Sequence, residues 1–279
     1  MDNLLLGKNV LITGAGANIG KSIAIEMAKQ GANILFAEID EDRCAGLERE
    51  LSEYPIMSKG FLTDVSNPVA IDCLYRSLVQ DYVGIDVLVN NVGMQHYRTE
   101  GGHPLEEWHK MFDTNLFGPM YLTKLISETM INNSIHGSII FITSIHQWAV
   151  RRMPSYSSSK AALGMIIKEL ALDLAPHNIR VNGVAPGWIK EDHVARTIRQ
   201  KHTPLHESSI NPCYIGRAVV YLASDYFSKF TTGTVIKIDA GLSLYNHIAE
   251  QITVKTNPLT LSERLKQGAK ARLRSVLFQ

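Results

Sequence analysis

Tyr156-Ser-Ser-Ser-Lys160 sets a phenol and an amine four residues apart, and Ser144 lies twelve residues upstream. On a helix that spacing brings both groups to one face. An ammonium beside a phenol favours the phenolate and draws its pKa below the free value of about 10. Such a tyrosine can give and take a proton near neutral pH. The pattern alone has little specificity, because Tyr and Lys at this spacing also form surface pairs on amphipathic helices. Its weight depends on the elements that carry it.

A second suggestive stretch opens the chain. Asn9-Val-Leu-Ile-Thr13 is a short apolar run, Gly14-Ala-Gly-Ala-Asn-Ile-Gly20 a glycine-rich turn, and Ile19 to Gln30 has apolar residues at helical spacing. This reads as strand, loop and helix. Small residues in the loop let the backbone approach a pyrophosphate at the positive end of the helix. Glu38 falls eighteen residues after Gly20, at the end of the next apolar run, Asn33 to Ala37. A carboxylate there accepts hydrogen bonds from adenosine ribose hydroxyls and repels a 2′-phosphate. Ala17 and Ile39, the flanking positions where a basic residue would hold that phosphate, are uncharged. The expected cofactor is therefore NAD rather than NADP. The alternative is a strand-terminal Glu38 that only caps the following helix.

The alternation continues through Asp86 to Asn90, Ser138 to Thr143, Arg180 to Ala185 and Val235 to Ile238, with helical periodicity near 67–82, 105–131, 155–175 and 212–223. It predicts an α/β fold, a single Rossmann-type doubly wound parallel sheet with helices on both faces. Thr13, Glu38, Asn90, Ser144 and Pro186 each follow a strand, so they converge on the carboxyl edge where such sheets bind ligands.

Composition narrows the partners. Twenty-eight basic and 27 acidic residues leave a net charge of +1, which gives no field to attract nucleic acid or an anionic membrane. No apolar run reaches transmembrane length. Cys44, Cys73 and Cys213 are odd in number and lack metal-ligand spacing, so free thiols in a reducing compartment and no metal site are expected. The expectation is a cytoplasmic protein acting on a small molecule. No Pro/Ser-rich linker interrupts residues 1–245, which read as one domain followed by an extension, 246–279. In that extension Leu261, Leu265, Ala269 and Leu273 form a helical apolar stripe opposite a basic face.

Over about residues 5–245 the chain resembles the classical short-chain dehydrogenase/reductase family. Thr13, Gly14 and Gly20 meet its glycine motif, with Asn18 where the middle glycine is usual; Asn is the residue next most tolerant of positive φ. Asp64-Val65 matches its adenine-contacting pair, Asn90-Asn-Val-Gly93 its Asn-Asn-Ala-Gly, Asn115 its helix asparagine, and Ile179 to Gly187 the segment that walls the nicotinamide. The resemblance implies a catalytic tetrad of Ser144, Tyr156, Lys160 and Asn115. In it Tyr156 exchanges a proton with the substrate oxygen, Ser144 orients that oxygen, Lys160 holds the phenolate and the nicotinamide ribose, and Asn115 keeps a water in line. It further implies cofactor contacts from Gly14, Asn18, Ile19, Gly20, Glu38, Asp64, Val65, Asn91, Val92, Gly93, Pro186, Gly187 and Ile189. Two departures stand out. The Ser144 to Tyr156 spacing is one residue short of the family's usual one, which would select Thr143, and Glu191 replaces a common threonine at the entrance to the substrate lid.

For the substrate, Gln95 and His146 stand where the glucose dehydrogenase branch places sugar-contacting groups, and Trp188 and His193 lie on the expected lid. With Arg151 and Arg152 nearby, the pocket rim reads as polar, suited to a hydroxyl-rich substrate such as a sugar, polyol or cyclic polyol, or to an acidic one; the alternative is that these groups only satisfy loop backbone. The function implied is hydride transfer between NAD and a secondary alcohol or ketone, with a carbonyl reductase of a biosynthetic pathway and a non-catalytic nucleotide sensor as the alternatives. The two long helices have apolar faces that include Met111, Leu116, Leu122, Leu125, Leu163, Ile167 and Leu170, which read as core packing alone or, as the resemblance implies, also as the faces through which a homotetramer or homodimer packs.

Overall fold

A computed structural model of the chain describes residues 3–82, 84–95, 104–150, 152–189, 203–205 and 209–244. The central strands are mainly apolar and almost wholly buried, so they need cover on both faces. These are β1 (Asn9–Thr13), β4 (Val87–Asn90), β5 (Ser138–Ile142) and β6 (Arg180–Pro186). With β2 (Asn33–Glu38), β3 (Ser58–Leu62) and β7 (Val235–Ile238) they form a seven-stranded sheet of order β3-β2-β1-β4-β5-β6-β7, parallel throughout. The expected doubly wound fold is the observed one.

Alternate strand residues supply the two faces. Val10, Ile12, Ile34 and Phe36 pack with α1 (Asn18–Ala28) and α7 (Cys213–Ala223) in one core. Leu11, Leu35, Leu88 and Phe141 face the other core, shared with α3 (Pro68–Asp81), α5 (Gly118–Asn132) and α6 (Pro154–Leu174). This unit runs to Ser243, and Leu244–Gln279 form a second one.

The periodicity reading missed β3 and α2 (Glu41–Leu51) and saw one helix where the structure has three segments. Strand β3 is an edge strand of sequence Ser-Lys-Gly-Phe-Leu, without the continuous apolar run of a central strand. Helix α2 buries only Leu47 and Leu51. Between 105 and 131, α4 (Leu105–Phe112) passes into a π turn, Asp113–Phe117, before α5 begins. Gly118 starts α5 because the Val65 carbonyl occupies the space a Cβ would need.

Of the two readings of the apolar residues on the long helices, core packing is the one these side chains follow. Met111, Leu116, Leu122, Leu163 and Ile167 are buried within this chain, with Leu125 and Leu170 packed against them. Phe117, Met165 and Leu172 are large apolar groups left exposed on the π turn and α6. The extension's apolar stripe and Arg151, Glu191, His193, His202 and His206 lie outside the described residues.

Candidate active site

The glycine-rich turn between β1 and α1 is shaped by close approach. A Cβ on Gly20 would overlap the Gly14 carbonyl, one on Gly14 would lie 2.8 Å from Val92 Cγ2, and one on Gly16 2.7 Å from Glu38 Oε2. Asn18 adopts φ +46, so the residue in place of the middle glycine takes the left-handed conformation itself. The exit of β4 is tied to this turn. Thr13 Oγ1 accepts from the Asn91 and Val92 amides at 3.0 and 3.2 Å, while Asn91 Nδ2 donates to the Thr13 and Gly14 carbonyls at 3.0 and 2.9 Å. Through these bonds the Asn91 side chain holds the loop rather than pointing outward.

Glu38 is 5% exposed at the end of β2. Its Oε2 accepts from the Gly16 amide at 2.8 Å and its Oε1 from the Ile39 and Asp40 amides at 2.9 and 3.2 Å. The helix cap is Asp40, whose Oδ1 accepts from the Arg43 amide, so Glu38 does not serve as the cap of α2. At the next strand end Asp64 Oδ1 accepts from the amide and hydroxyl of Ser66, and Val65 is buried. Ile19 is half-buried at the start of α1. Across the sheet, Pro186 ends β6, a Cβ on Gly187 would lie 2.7 Å from Asp239 Cα, and Ile189 forms a parallel bridge with Ile210.

Helix α6 begins at Pro154, where a missing amide costs nothing. Its buried stripe is Lys160, Leu163, Ile167, Ala171 and Leu174, so a lysine occupies a position that the helical period assigns to the core. Lys160 is 3% exposed, donates to the Ile142 carbonyl at 3.0 Å and lies 5.8 Å from the centroid of the Tyr156 ring. Burial pulls its pKa from 10.5 down to about 8. A Cβ on Gly93 would sit 3.1 Å from Lys160 Nζ, which places the β4 exit directly beside the amine.

Ser144 and Thr143 are told apart by their bonds. Thr143 Oγ1 donates to the Val184 carbonyl at 3.3 Å, inside the sheet, whereas Ser144 caps a short 3-10 turn and accepts from the His146 amide at 3.2 Å. The His146 ring meets the Tyr156 ring edge-on, 5.3 Å between centroids at 77°. Gln95 and Trp188 are exposed, and the Trp188 carbonyl accepts from the Ile210 amide.

Asn115, in the π turn, is fully buried and its amide is committed to protein. Its Oδ1 accepts from the Met94 amide at 2.8 Å, and its Nδ2 donates to the Met94 carbonyl at 2.9 Å and to Ser159 Oγ at 3.1 Å. The geometry makes this side chain a clamp on the β4 exit. Sequence reasoning passed over Gly16 and Ser159: Gly16 was visible in the Gly-Ala-Gly run, but nothing in three consecutive serines marks the third.

Among the described residues no group of three or more His, Cys, Asp or Glu could hold a metal ion, and no helix is long and apolar enough to cross a membrane. A parallel sheet with a glycine-lined helix N-terminus and a strand-end carboxylate is a dinucleotide-binding arrangement, and the side-chain-free cradle at Gly14, Gly16 and Gly20 fits a pyrophosphate. The family model for short chain dehydrogenase matches residues 8–202. An uncharacterized oxidoreductase of Thermotoga maritima is 34% identical over 255 residues, 86% of this chain and 98% of the relative. The structure of 7α-hydroxysteroid dehydrogenase complexed with NADH and 7-oxo glycochenodeoxycholic acid has a TM-score of 0.80 and 31% identity, covering 86% of this chain and 96% of that one. L-sorbose reductase from Gluconobacter frateurii complexed with NADPH and L-sorbose also has a TM-score of 0.80, with 27% identity over 87% of this chain and 98% of that one. The chain belongs to the short-chain dehydrogenase family. It is an oxidoreductase of alcohol or ketone substrates that uses a nicotinamide cofactor.

Proposed function

We propose that the protein is NAD-dependent, exchanges hydride with a secondary alcohol or ketone of sugar, polyol or cyclic polyol type, and uses Tyr156 as general acid/base. The observation that carries this reading is Lys160, a cation buried in an apolar stripe beside the Tyr156 ring. A lysine in such a place costs stability, and its compensation is electrostatic work on the phenol.

Bound nicotinamide accepts or supplies the hydride. Tyr156 takes the proton from the substrate hydroxyl, or returns it to the carbonyl oxygen. Ser144 donates a hydrogen bond to the same oxygen and orients it, with its own Oγ held by the His146 amide. Lys160 stabilises the phenolate and binds the ribose hydroxyls, a role supported by its closeness to Gly93 at the β4 exit. Asn115 keeps the β4 exit in register with α6. Asp64, Val65, Pro186, Gly187 and Ile189 form the walls of the cofactor groove, and His146, Gln95, Trp188 and His193 are the substrate candidates.

Glu38 supports NAD over NADP, because its carboxylate sits against Gly16 and would repel a 2′-phosphate. A homotetramer belongs to the same proposal, with the exposed Phe117, Met165 and Leu172 as apolar contacts, and the free thiols of Cys44, Cys73 and Cys213 support a reducing, cytoplasmic setting.

The test is reduction of NAD followed across a panel of polyols, sterols and acyl thioesters, with Tyr156→Phe alongside. Polyols should turn over, NADH should bind at least about tenfold more tightly than NADPH, and Tyr156→Phe should lose turnover while retaining NADH binding. Turnover confined to sterols or thioesters would overturn the substrate class. An unimpaired Tyr156→Phe would overturn the mechanism.

A further inference from the structure

We propose that Ser159 is a positioning residue: its hydroxyl ties α6 to the π turn and the β4 exit, and through that tie sets the phenol of Tyr156 in place. The proposal rests on the reading of Tyr156 as acid/base. The three serines between Tyr156 and Lys160 are not equivalent, since Ser158 is exposed and Ser159 is 0% exposed. Ser159 Oγ donates to the Tyr156 carbonyl at 2.8 Å and accepts from Asn115 Nδ2 at 3.1 Å. Asn115 in turn grips both backbone groups of Met94.

The result is one buried hydrogen-bonded path, Met94 to Asn115 to Ser159 to Tyr156, running across three elements far apart in sequence. Its donors all point the same way from Asn115 to the Tyr156 carbonyl, which lets each bond polarise the next. Without the hydroxyl, one Asn115 amide hydrogen is left with Met111 Sδ at 3.1 Å, a weak acceptor. Helix α6 then loses its polar tie to the π turn at the turn that carries Tyr156 and Lys160. Displacements of about 1 Å at a reacting group are enough to cost about a hundredfold in rate.

The experiment uses the full chain with 13C-labelled tyrosine, in which Tyr156→Phe identifies the Tyr156 resonance and its pH titration is followed. Ser159→Ala removes one oxygen and raises helix propensity, so α6 persists. It should move the Tyr156 midpoint up by about one pH unit, as the phenol drifts from the ammonium, and should speed exchange of the Met94 amide. Ser159→Thr, which keeps the hydroxyl, should restore both, and Ser158→Ala should change neither. A Ser159→Ala midpoint equal to wild type, or Ala and Thr variants that shift alike, would overturn the proposal. A wild-type midpoint at the free value of about 10 would overturn the reading of Tyr156 instead.

Discussion

Lys160→Met should make the cofactor-free protein more stable at neutral pH while abolishing turnover. A pKa lowered from 10.5 to about 8 by burial means that holding the charge in the folded state costs about 3 kcal/mol at pH 7. Methionine fills a similar volume without that cost. The variant gives up the bond from Nζ to the Ile142 carbonyl, which offsets about 1.5–2 kcal/mol. The net gain is about 1–2 kcal/mol, a rise of a few degrees in Tm for a chain of this size. The sign is set by proton counts. Below about pH 8 folded and unfolded chains both hold the Lys160 proton, so the full cost is present. Between about 8 and 10.5 the unfolded chain holds a proton that the folded chain has released, and wild-type stability rises with pH relative to the variant. Urea unfolding of both proteins at equal protomer concentration, at pH 7.0 and 9.5, reads the effect directly. The variant's advantage should shrink by about 2 kcal/mol across that interval. A difference between the two proteins that does not change with pH would refute the buried-cation argument.

Ser144→Ala should lower kcat/KM by about a hundredfold or more, and Thr143→Ala by only a few-fold, because the Thr143 hydroxyl is bonded to Val184 within the sheet; steady-state kinetics with the reverse ranking would move the role to Thr143. Gly20→Ala forces a methyl onto the Gly14 carbonyl and to 2.6 Å from Asn91 Nδ2, so it should weaken NADH binding at least about tenfold and cost about 2 kcal/mol or more in urea unfolding. Unchanged NADH fluorescence titration would show that this turn does not shape the cofactor site.

The central sheet was legible because strands buried on both faces are mostly apolar: β1, β4 and β5 each hold an unbroken apolar run of three or more residues, and β6 is buried throughout though Asn182 interrupts it. Strand β3 was not, since an edge strand needs few apolar residues and Ser58–Leu62 has a glycine at its centre. Periodicity does not reveal a π turn either: Met111, Leu116 and Leu122 read as one stripe although the turn at Asp113–Phe117 rotates α5 relative to α4. Residue type alone also leaves core and surface undivided on α6, since it cannot tell Leu163, which is buried, from Met165, which is not. The residues proposed to carry chemistry were named from type and order. The holding roles of Asn91, Asn115 and Ser159 were not legible, because they act through backbone carbonyls and amides whose positions only the folded chain supplies.

That division bears on the substrate. The cofactor side of the site is closed by bonds within the protein: Thr13 and Asn91 lock the first loop to the β4 exit, Glu38 locks it to β2, and Asn115 and Ser159 lock the β4 exit to α6. None of these bonds involves Gln95, Trp188 or the ring of His146. A sterol enzyme and a sugar enzyme match this scaffold equally well, so the backbone that builds the cofactor side does not select between them. Selection has to reside in side chains outside the locked set. His146 is the one that meets both sides, since its amide holds Ser144 Oγ while its ring packs on Tyr156. Under the proposed reading, His146→Ala should therefore shift both the relative kcat/KM across the substrate panel and the pH profile of turnover, whereas Gln95→Ala or Trp188→Ala should shift the relative kcat/KM alone.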